Sequence, residues 1–359
     1  MAKIEAVLVV GGGVAGLTAA AALHRQGFTT ELVERQPTWH ALGAGFLVQG
    51  NGMRMLRSLG LAAYVEKAGA VVRRWQFCDE QGNALSETDL AVLWGDAGPC
   101  VGIERSELQR ALLPGIAGLR CRLGTSITSL AQDDRCVSVG FSDGSAADYD
   151  LVVGADGIRS TVRALTLTTA APSDLGAMNW RSIAPIRPAG LAALEMHLGD
   201  GCMFGLVPVG DGRTYGFAYV VQPRFRDPPA GRLERLRDRF ATFGGRVQEY
   251  LAALECDDQV ICSAMEWMAL GHWHAGRVVL VGDAAHASSH GAGWLHGDGG
   301  RIRAGRGAAR SSNCRRRARK LRRSAQAPRG VGPAAKHGRG GESHDTASSP
   351  QCRGARASK

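Results

Sequence analysis

A chain of 359 residues with 45% hydrophobic side chains can bury one large core or two moderate ones. Its formal charge of +10 is uneven: residues 296–359 carry 17 Lys and Arg against three acids (net +14), leaving 26 basic and 30 acidic residues before them (net −4). That distribution argues against a nucleic-acid-binding body. Nine dispersed cysteines without a CxxC pair argue against a disulfide framework or zinc site, and no run of about 18 apolar residues exists to span a membrane.

Scattered single cysteines suit a reducing cytosol, so a cytoplasmic location is expected. The N-terminus is too interrupted by glycine to be a signal peptide. Residues 4–10 read as a buried strand, Gly11-x-Gly13-x-x-Gly16 as a turn, and 14–24 as an alanine- and leucine-rich helix. A second strand, 29–33, ends on Glu34. Gly11 permits the tight turn, Gly13 lets the backbone approach a pyrophosphate, and Gly16 permits close helix–strand packing. Val14 and Ala15 open the helix, whose free N–H groups suit phosphate, while Glu34 and Arg35 follow the second strand beside it. Glu34 is placed to accept hydrogen bonds from ribose hydroxyls. At this point FAD and NAD are both open.

Residues 150–153 form another short apolar run, delivering Gly154-Ala155-Asp156-Gly157 into a turn and helix. Residues 278–281 likewise deliver Gly282-Asp283. By itself each aspartate is equally well read as a helix cap. Between them, alternation at 194–198, 203–207 and 214–220 predicts an antiparallel sheet, and 233–240 and 246–254 read as amphipathic helices covering it.

In the order and spacing of these three motifs the chain resembles the single-component FAD-dependent aromatic hydroxylases, the p-hydroxybenzoate hydroxylase-like monooxygenases. Gly43-Ala44-Gly45, Asn51 and Leu59-Gly60-Leu61 are similar to the family's segment after the second strand. Arg105-x-x-Leu108-x-x-x-Leu112 is similar to the helix whose arginine contacts the flavin nucleotide, with Gln109 on the same face. Trp180-Arg181 and Pro208 resemble the salicylate, 3-hydroxybenzoate and urate hydroxylase branch.

The resemblance implies an α/β fold: a Rossmann-like FAD-binding domain (residues 1–70, 101–165 and 271–295) with an inserted antiparallel-sheet substrate domain (71–100 and 166–270). It implies that Gly11, Gly13, Gly16 and Glu34 hold the ADP half of FAD, and that Asp283 binds the ribityl chain. Asp156 and Gly157 would support the pyrophosphate and take part in NAD(P)H binding. The nicotinamide needs no Rossmann domain of its own in this family, and no second GxGxxG occurs here. The implied cycle is reduction of FAD by NAD(P)H, reaction with O2 to a flavin C4a-hydroperoxide, and oxygen transfer to an electron-rich ring. Arg181 could bind a carboxylate of a small aromatic substrate and Tyr215 line its pocket, although a surface or core role is the commoner one for such residues. No residue stands out as a catalytic base. His286 lies in a motif but is not assigned one.

The family continues its third motif with a proline, a Gly-x-Gly turn and an Ala-x-Glu-Asp-Ala helix start. Here His290 stands at the proline position and the match is gone after Gly293. From Arg301 onward there is no aromatic residue, and Ile302, Leu321 and Val331 are the only large aliphatics, so 296–359 is expected to be a disordered basic tail. His296 to Arg301 can be encoded CAT GGC GAT GGA GGA CGC. Shifted by one base, that reads Met-Ala-Met-Glu-Asp-Ala, and the same shift through Arg310 permits Ser-Ala-Leu-Ala-Glu-Glu-Leu-Leu. A reading-frame break near residues 290–295 accounts for the lost proline, the lost helix and the tail together. Two other functions remain open: a flavin-dependent reductase of this fold without oxygen insertion, and nucleic-acid binding through the tail.

Overall fold

The computed structural model describes residues 4–39 and 44–287. Gly43, His290, Gly293 and the basic tail lie outside the described residues.

The nucleotide-side sheet has six strands in the order His274–Ala275, Val278–Leu280, Leu151–Gly154, Ala6–Val10, Thr29–Glu34 and Arg120–Leu123. The last five run parallel. Such a sheet is covered on both faces, and Val7, Leu8 and Val9 are accordingly fully buried in succession rather than alternating. The helix Val14–Arg25 returns the chain from the first strand to its parallel neighbour, burying Leu17, Ala20, Ala21 and Leu23. Three strands that are neighbours in space end on Val10, Gly154 and Leu280. The three glycine-and-acid motifs follow those ends directly, so segments far apart in sequence open onto one edge of the sheet.

A second, seven-stranded sheet has the order Ile261–Trp267, Ser173–Ala184, Thr214–Val221, Cys202–Pro208, Leu194–Gly199, Arg74–Cys78, Ala84–Asp89. All its pairings are antiparallel except Leu194–Gly199 with Arg74–Cys78. Helices Arg232–Arg239 and Gly245–Ala252 cover one face, burying Trp180, Phe204, Phe240 and Tyr250. Gly216 is required there: a Cβ on it would fall 2.4 Å from the Tyr250 ring. The Tyr250 hydroxyl shares a 2.8 Å hydrogen bond with Ser182. The opposite face carries Tyr215 and Phe217, ring centroids 5.4 Å apart, and meets the segment Gly45–Val48.

The expected elements of both sheets appear within two residues of their predicted ends. The twelve-residue strand Ser173–Ala184 was not legible, because a register shift between Asp174 and Met178 breaks its alternation. The small antiparallel sheet Ile127–Gln132, Val137–Phe141, Ala146–Tyr149 was likewise not anticipated. Among the described residues, no helix is long and apolar enough to cross a membrane.

Candidate functional site

The first turn is held by interlocked backbone. Gly11 has φ +108°, and a Cβ on it would lie 2.5 Å from the Ala155 carbonyl oxygen. A Cβ on Gly16 would lie 1.8 Å from the Gly11 carbonyl oxygen. Gly13 differs: nothing lies within 4 Å of the position its Cβ would take. It is also the N-cap of Val14–Arg25, with no side-chain cap and no acid in the first turn. The helix therefore presents its N-terminal amides, and the positive end of its dipole, to open space.

Glu34 does more than border the cleft. Its Oε2 accepts from the Gly12 N–H at 2.6 Å and its Oε1 from the Gln36 N–H at 2.9 Å, so the carboxylate fastens the turn while bordering the cleft. Gln109 is buried and donates through Nε2 to the Gly12 carbonyl at 2.9 Å. Gly12, which motif reasoning passes over, is thus gripped from both sides. A side chain on it would run into Trp39 and Glu34.

Asp156 braces the start of a helix whose N-cap is Ser160. One oxygen accepts from the Ser160 hydroxyl and the other from the Thr161 and Val162 amides at 2.6 and 3.1 Å. Those bonds hold the start of Thr161–Thr166. Asp283 does the reverse: it begins Asp283–His286, but its exposed carboxylate makes no cap hydrogen bond and borders the cleft.

Arg163 joins these two motifs, and its importance was not legible in the sequence. It is 3% exposed, donating to the Ala284 carbonyl at 3.0 Å and the Ile158 carbonyl at 2.5 Å. Burial lowers its pKa, against the opposing charge of Asp156. Arg163→Met is expected to leave both carbonyls without this donor, costing about 1–3 kcal/mol. Urea denaturation checks this, as a lower midpoint at unchanged slope.

The cleft these parts enclose has a volume of about 390 Å³. Gly11, Gly13, Val14, Ala15 and Glu34 border it from the first motif, with Arg35 beyond. Arg105 and Gln109 border it from the helix Arg105–Leu112, and Asp156, Gly157, Arg159 and Asp283 from the other two motifs. Gly16 and Gly282 do not border it: Gly16 packs against Gly11, and Gly282, with φ +59°, turns the chain into the helix Asp283–His286. Phe46, Gln36, Thr125 and Ser126 also border the cleft, and no motif singled them out. The donor set fits a dinucleotide. An uncapped helix N-terminus, an open glycine and the Arg35 guanidinium suit a pyrophosphate, while Arg159 is held by Glu266 at 2.9 Å.

Arg181 and Tyr215 do not border this cleft. Tyr215 is 5% exposed and lies flat against the chain at Gly45, where a Cβ would sit 2.1 Å from its ring. Burial pushes its phenol up to about 12, tempered by the charges of Arg181 and Arg105. Arg181 donates to the Ser263 hydroxyl at 3.2 Å, while its buried Nε has no partner.

The family model described as an FAD binding domain matches residues 5–294. The chain belongs to the FAD-dependent aromatic hydroxylase family. It is 31% identical over 293 residues to the FAD-dependent urate hydroxylase of Klebsiella pneumoniae, covering 79% of this chain and 75% of that one. The aurachin C monooxygenase/isomerase of Stigmatella aurantiaca is also 31% identical, over 78% of this chain and 74% of its own. The 3-amino-4-hydroxybenzoate 2-monooxygenase of Streptomyces cremeus is 33% identical over 78% and 72%. The structure of Klebsiella pneumoniae HpxO complexed with FAD and uric acid superposes with a TM-score of 0.76 at 28% identity, over 85% of this chain and 78% of that one. Membership makes this chain a flavoprotein of the oxidoreductase class, with FAD as its cofactor.

Proposed function

We propose that the described residues are the scaffold of an NAD(P)H-consuming hydroxylase of a small aromatic substrate, and that the residues after Gly293 leave this chain impaired. The observation that carries the first part is the convergence of three distant motifs on one cleft, with the Gly13 side open and the helix N-terminus uncapped. When bound and reduced, FAD supplies the activation of O2. The chain's residues do the rest: the amides of Val14 and Ala15 and the Arg35 guanidinium bind the pyrophosphate, and Gln109 and Glu34 keep the turn in shape. Glu34 retains lone pairs for the ribose hydroxyls, and Asp283 offers an acceptor to the ribityl chain. Asp156 acts by holding the loop Ala155–Gly157 in place, and Gly157 keeps that loop's backbone close.

The two-part organisation follows the sheets. Residues 1–70, 101–165 and 271–295 form the FAD-binding part, and 71–100 with 166–270 the substrate part. On the sheet face carrying Tyr215 and Phe217, the Trp75 Nε1 and the Arg181 Nε are buried donors without partners. The unmet Arg181 Nε beside Phe217 suits an anionic ligand, so Arg181 binds a substrate carboxylate or its equivalent. Tyr215, protonated at neutral pH, packs the substrate sheet onto Gly45–Val48. Arg181→Met is expected to raise the substrate KM by about tenfold or more while FAD content is unchanged, consistent with about 1.5–3 kcal/mol for a hydrogen bond to a charged group. Steady-state kinetics beside the flavin absorbance check it. The free thiols among the described residues support a cytosolic location.

The second part rests on the sequence after residue 293, where the family match ends and the alternative frame reads Met-Glu-Asp-Ala. Resequencing the coding DNA from the codon for Gly282 to the stop tests the frame break. Stoichiometric FAD in the purified 359-residue chain, with substrate-stimulated NAD(P)H oxidation coupled to hydroxylated product, would refute the impairment.

A further inference from the structure

Away from the cleft, three side chains with metal-ligating chemistry meet inside the seven-stranded sheet. Cys78 and His197 are partners across the parallel pair Arg74–Cys78 and Leu194–Gly199, and Glu195 lies two residues before His197. The pleat therefore directs all three to one face. A ligand atom from each lies within 4.8 Å of the others. Cys78 is 2% exposed, Glu195 2% and His197 0%.

Their hydrogen bonding is incomplete. Glu195 Oε1 accepts from Arg246 at 2.9 Å, and Oε2 lies 3.2 Å from His197 Nε2. The other ring nitrogen, Nδ1, is buried with no partner. No hydrogen bond reaches the Cys78 thiol among the described residues. Nε2 faces Glu195 while Nδ1 lies toward Gly82, so the thiol and the Nε2 side of the ring keep ligating capacity that protein partners use only in part.

We propose that Cys78, Glu195 and His197 hold one thiophilic divalent cation of the zinc class, clamping the two parallel strands beneath the helix Gly245–Ala252. Thiolate, imidazole and carboxylate together suit a borderline-soft ion, and three protein ligands leave one tetrahedral position for water. Bond lengths of about 2.0–2.3 Å mean that a small contraction brings the three atoms onto one ion. Binding expels the Cys78 proton to solvent. The thiolate and carboxylate then offset the dication, while Arg246 stays paired with Glu195 through its other oxygen. Without the ion, burial and then the Glu195 charge push the Cys78 thiol up and keep it protonated. The site lies apart from the flavin cleft, so its role is structural.

The test uses the full chain, stripped by chelator and titrated with zinc and with cobalt. The expected result is one ion per chain, a thiolate-to-cobalt charge-transfer band in the near ultraviolet, and a raised thermal midpoint. Cys78→Ser removes the band, and His197→Gln weakens binding by about tenfold or more. A Cys314→Ser/Cys352→Ser double variant, which removes the tail thiols, keeps the band. No stoichiometric ion on a chain with native circular dichroism overturns the proposal, as does a band that survives Cys78→Ser or disappears with the tail thiols. Should Cys78→Ser fail to fold, stoichiometry and band in the wild-type and tail variants still decide.

Discussion

Restoring the reading frame after Gly293 is expected to turn a chain that purifies with little FAD into one that carries it stoichiometrically, a gain of about tenfold or more in occupancy. The physical reason lies at the third motif. Asp283 stands exposed at the head of a four-residue helix, and its carboxylate makes no cap bond. In the family the segment after this motif supplies a further helix, whose N-terminal dipole favours an anionic flavin. That helix also covers apolar surface. The sequence of residues 296–359 has three large aliphatics after Arg301 and a net charge of +14, a composition poor in the apolar side chains such a helix buries. Flavin absorbance relative to protein in the two purified chains measures the effect, and equal occupancy would reject the impairment. Hydroxylated product should then form only with the repaired chain, at a rate tied to NAD(P)H oxidation.

Gly13→Ala and Gly16→Ala, made in that repaired chain, are expected to fail in opposite ways. At Gly13 the backbone is extended with φ −75°, which alanine adopts freely, and the added methyl meets no protein atom. Folding stability should stay within about 1 kcal/mol, since alanine restricts the unfolded chain but suits an N-cap less well than glycine. The methyl instead occupies the space into which the pyrophosphate must come. FAD affinity should fall by about tenfold to a hundredfold, near 1.4–2.8 kcal/mol. At Gly16 the methyl would sit 1.8 Å from the Gly11 carbonyl oxygen, so the turn must move. That substitution is expected to cost about 3 kcal/mol of stability and to lose FAD with it. Denaturation midpoints and flavin titration on both variants separate the outcomes. A Gly13→Ala protein that binds FAD normally would remove the pyrophosphate from this turn.

The contrast between these two glycines shows what a motif carries and what it leaves out. The spacing of Gly11, Gly13 and Gly16 specifies a tight turn and a close helix because both are local: adjacent residues must satisfy them. The same holds for the strands that end on Val10, Gly154 and Leu280, where short apolar β-branched runs stop at glycine. Residue type and period are sufficient for such features. The alternating strands Leu194–Gly199, Cys202–Pro208 and Thr214–Val221 were legible for the same reason.

Side-chain partners were less accessible. Asp156 and Asp283 sit in similar glycine-acid sequences, yet one spends its carboxylate on a helix start and the other leaves it exposed at the cleft. Glu34 faces the cleft as expected, but its oxygens also fasten Gly12 and Gln36. Tyr215, offered as a pocket residue with a core role the commoner one, packs against Gly45, a contact no periodicity shows.

The sequence by itself thus determined the α/β nucleotide-binding scaffold, the strands and turns that carry its three motifs and, through the family resemblance, the flavin. Only the tertiary structure decided which polar groups are left free to act. It brought Arg163 between the second and third motifs, Gln109 onto Gly12, and Cys78 beside His197. These contacts join elements that are neighbours in a sheet or across a layer but distant along the chain. Local periodicity specifies which face of an element is buried, whereas the partner met on that face is fixed only when the sheets close.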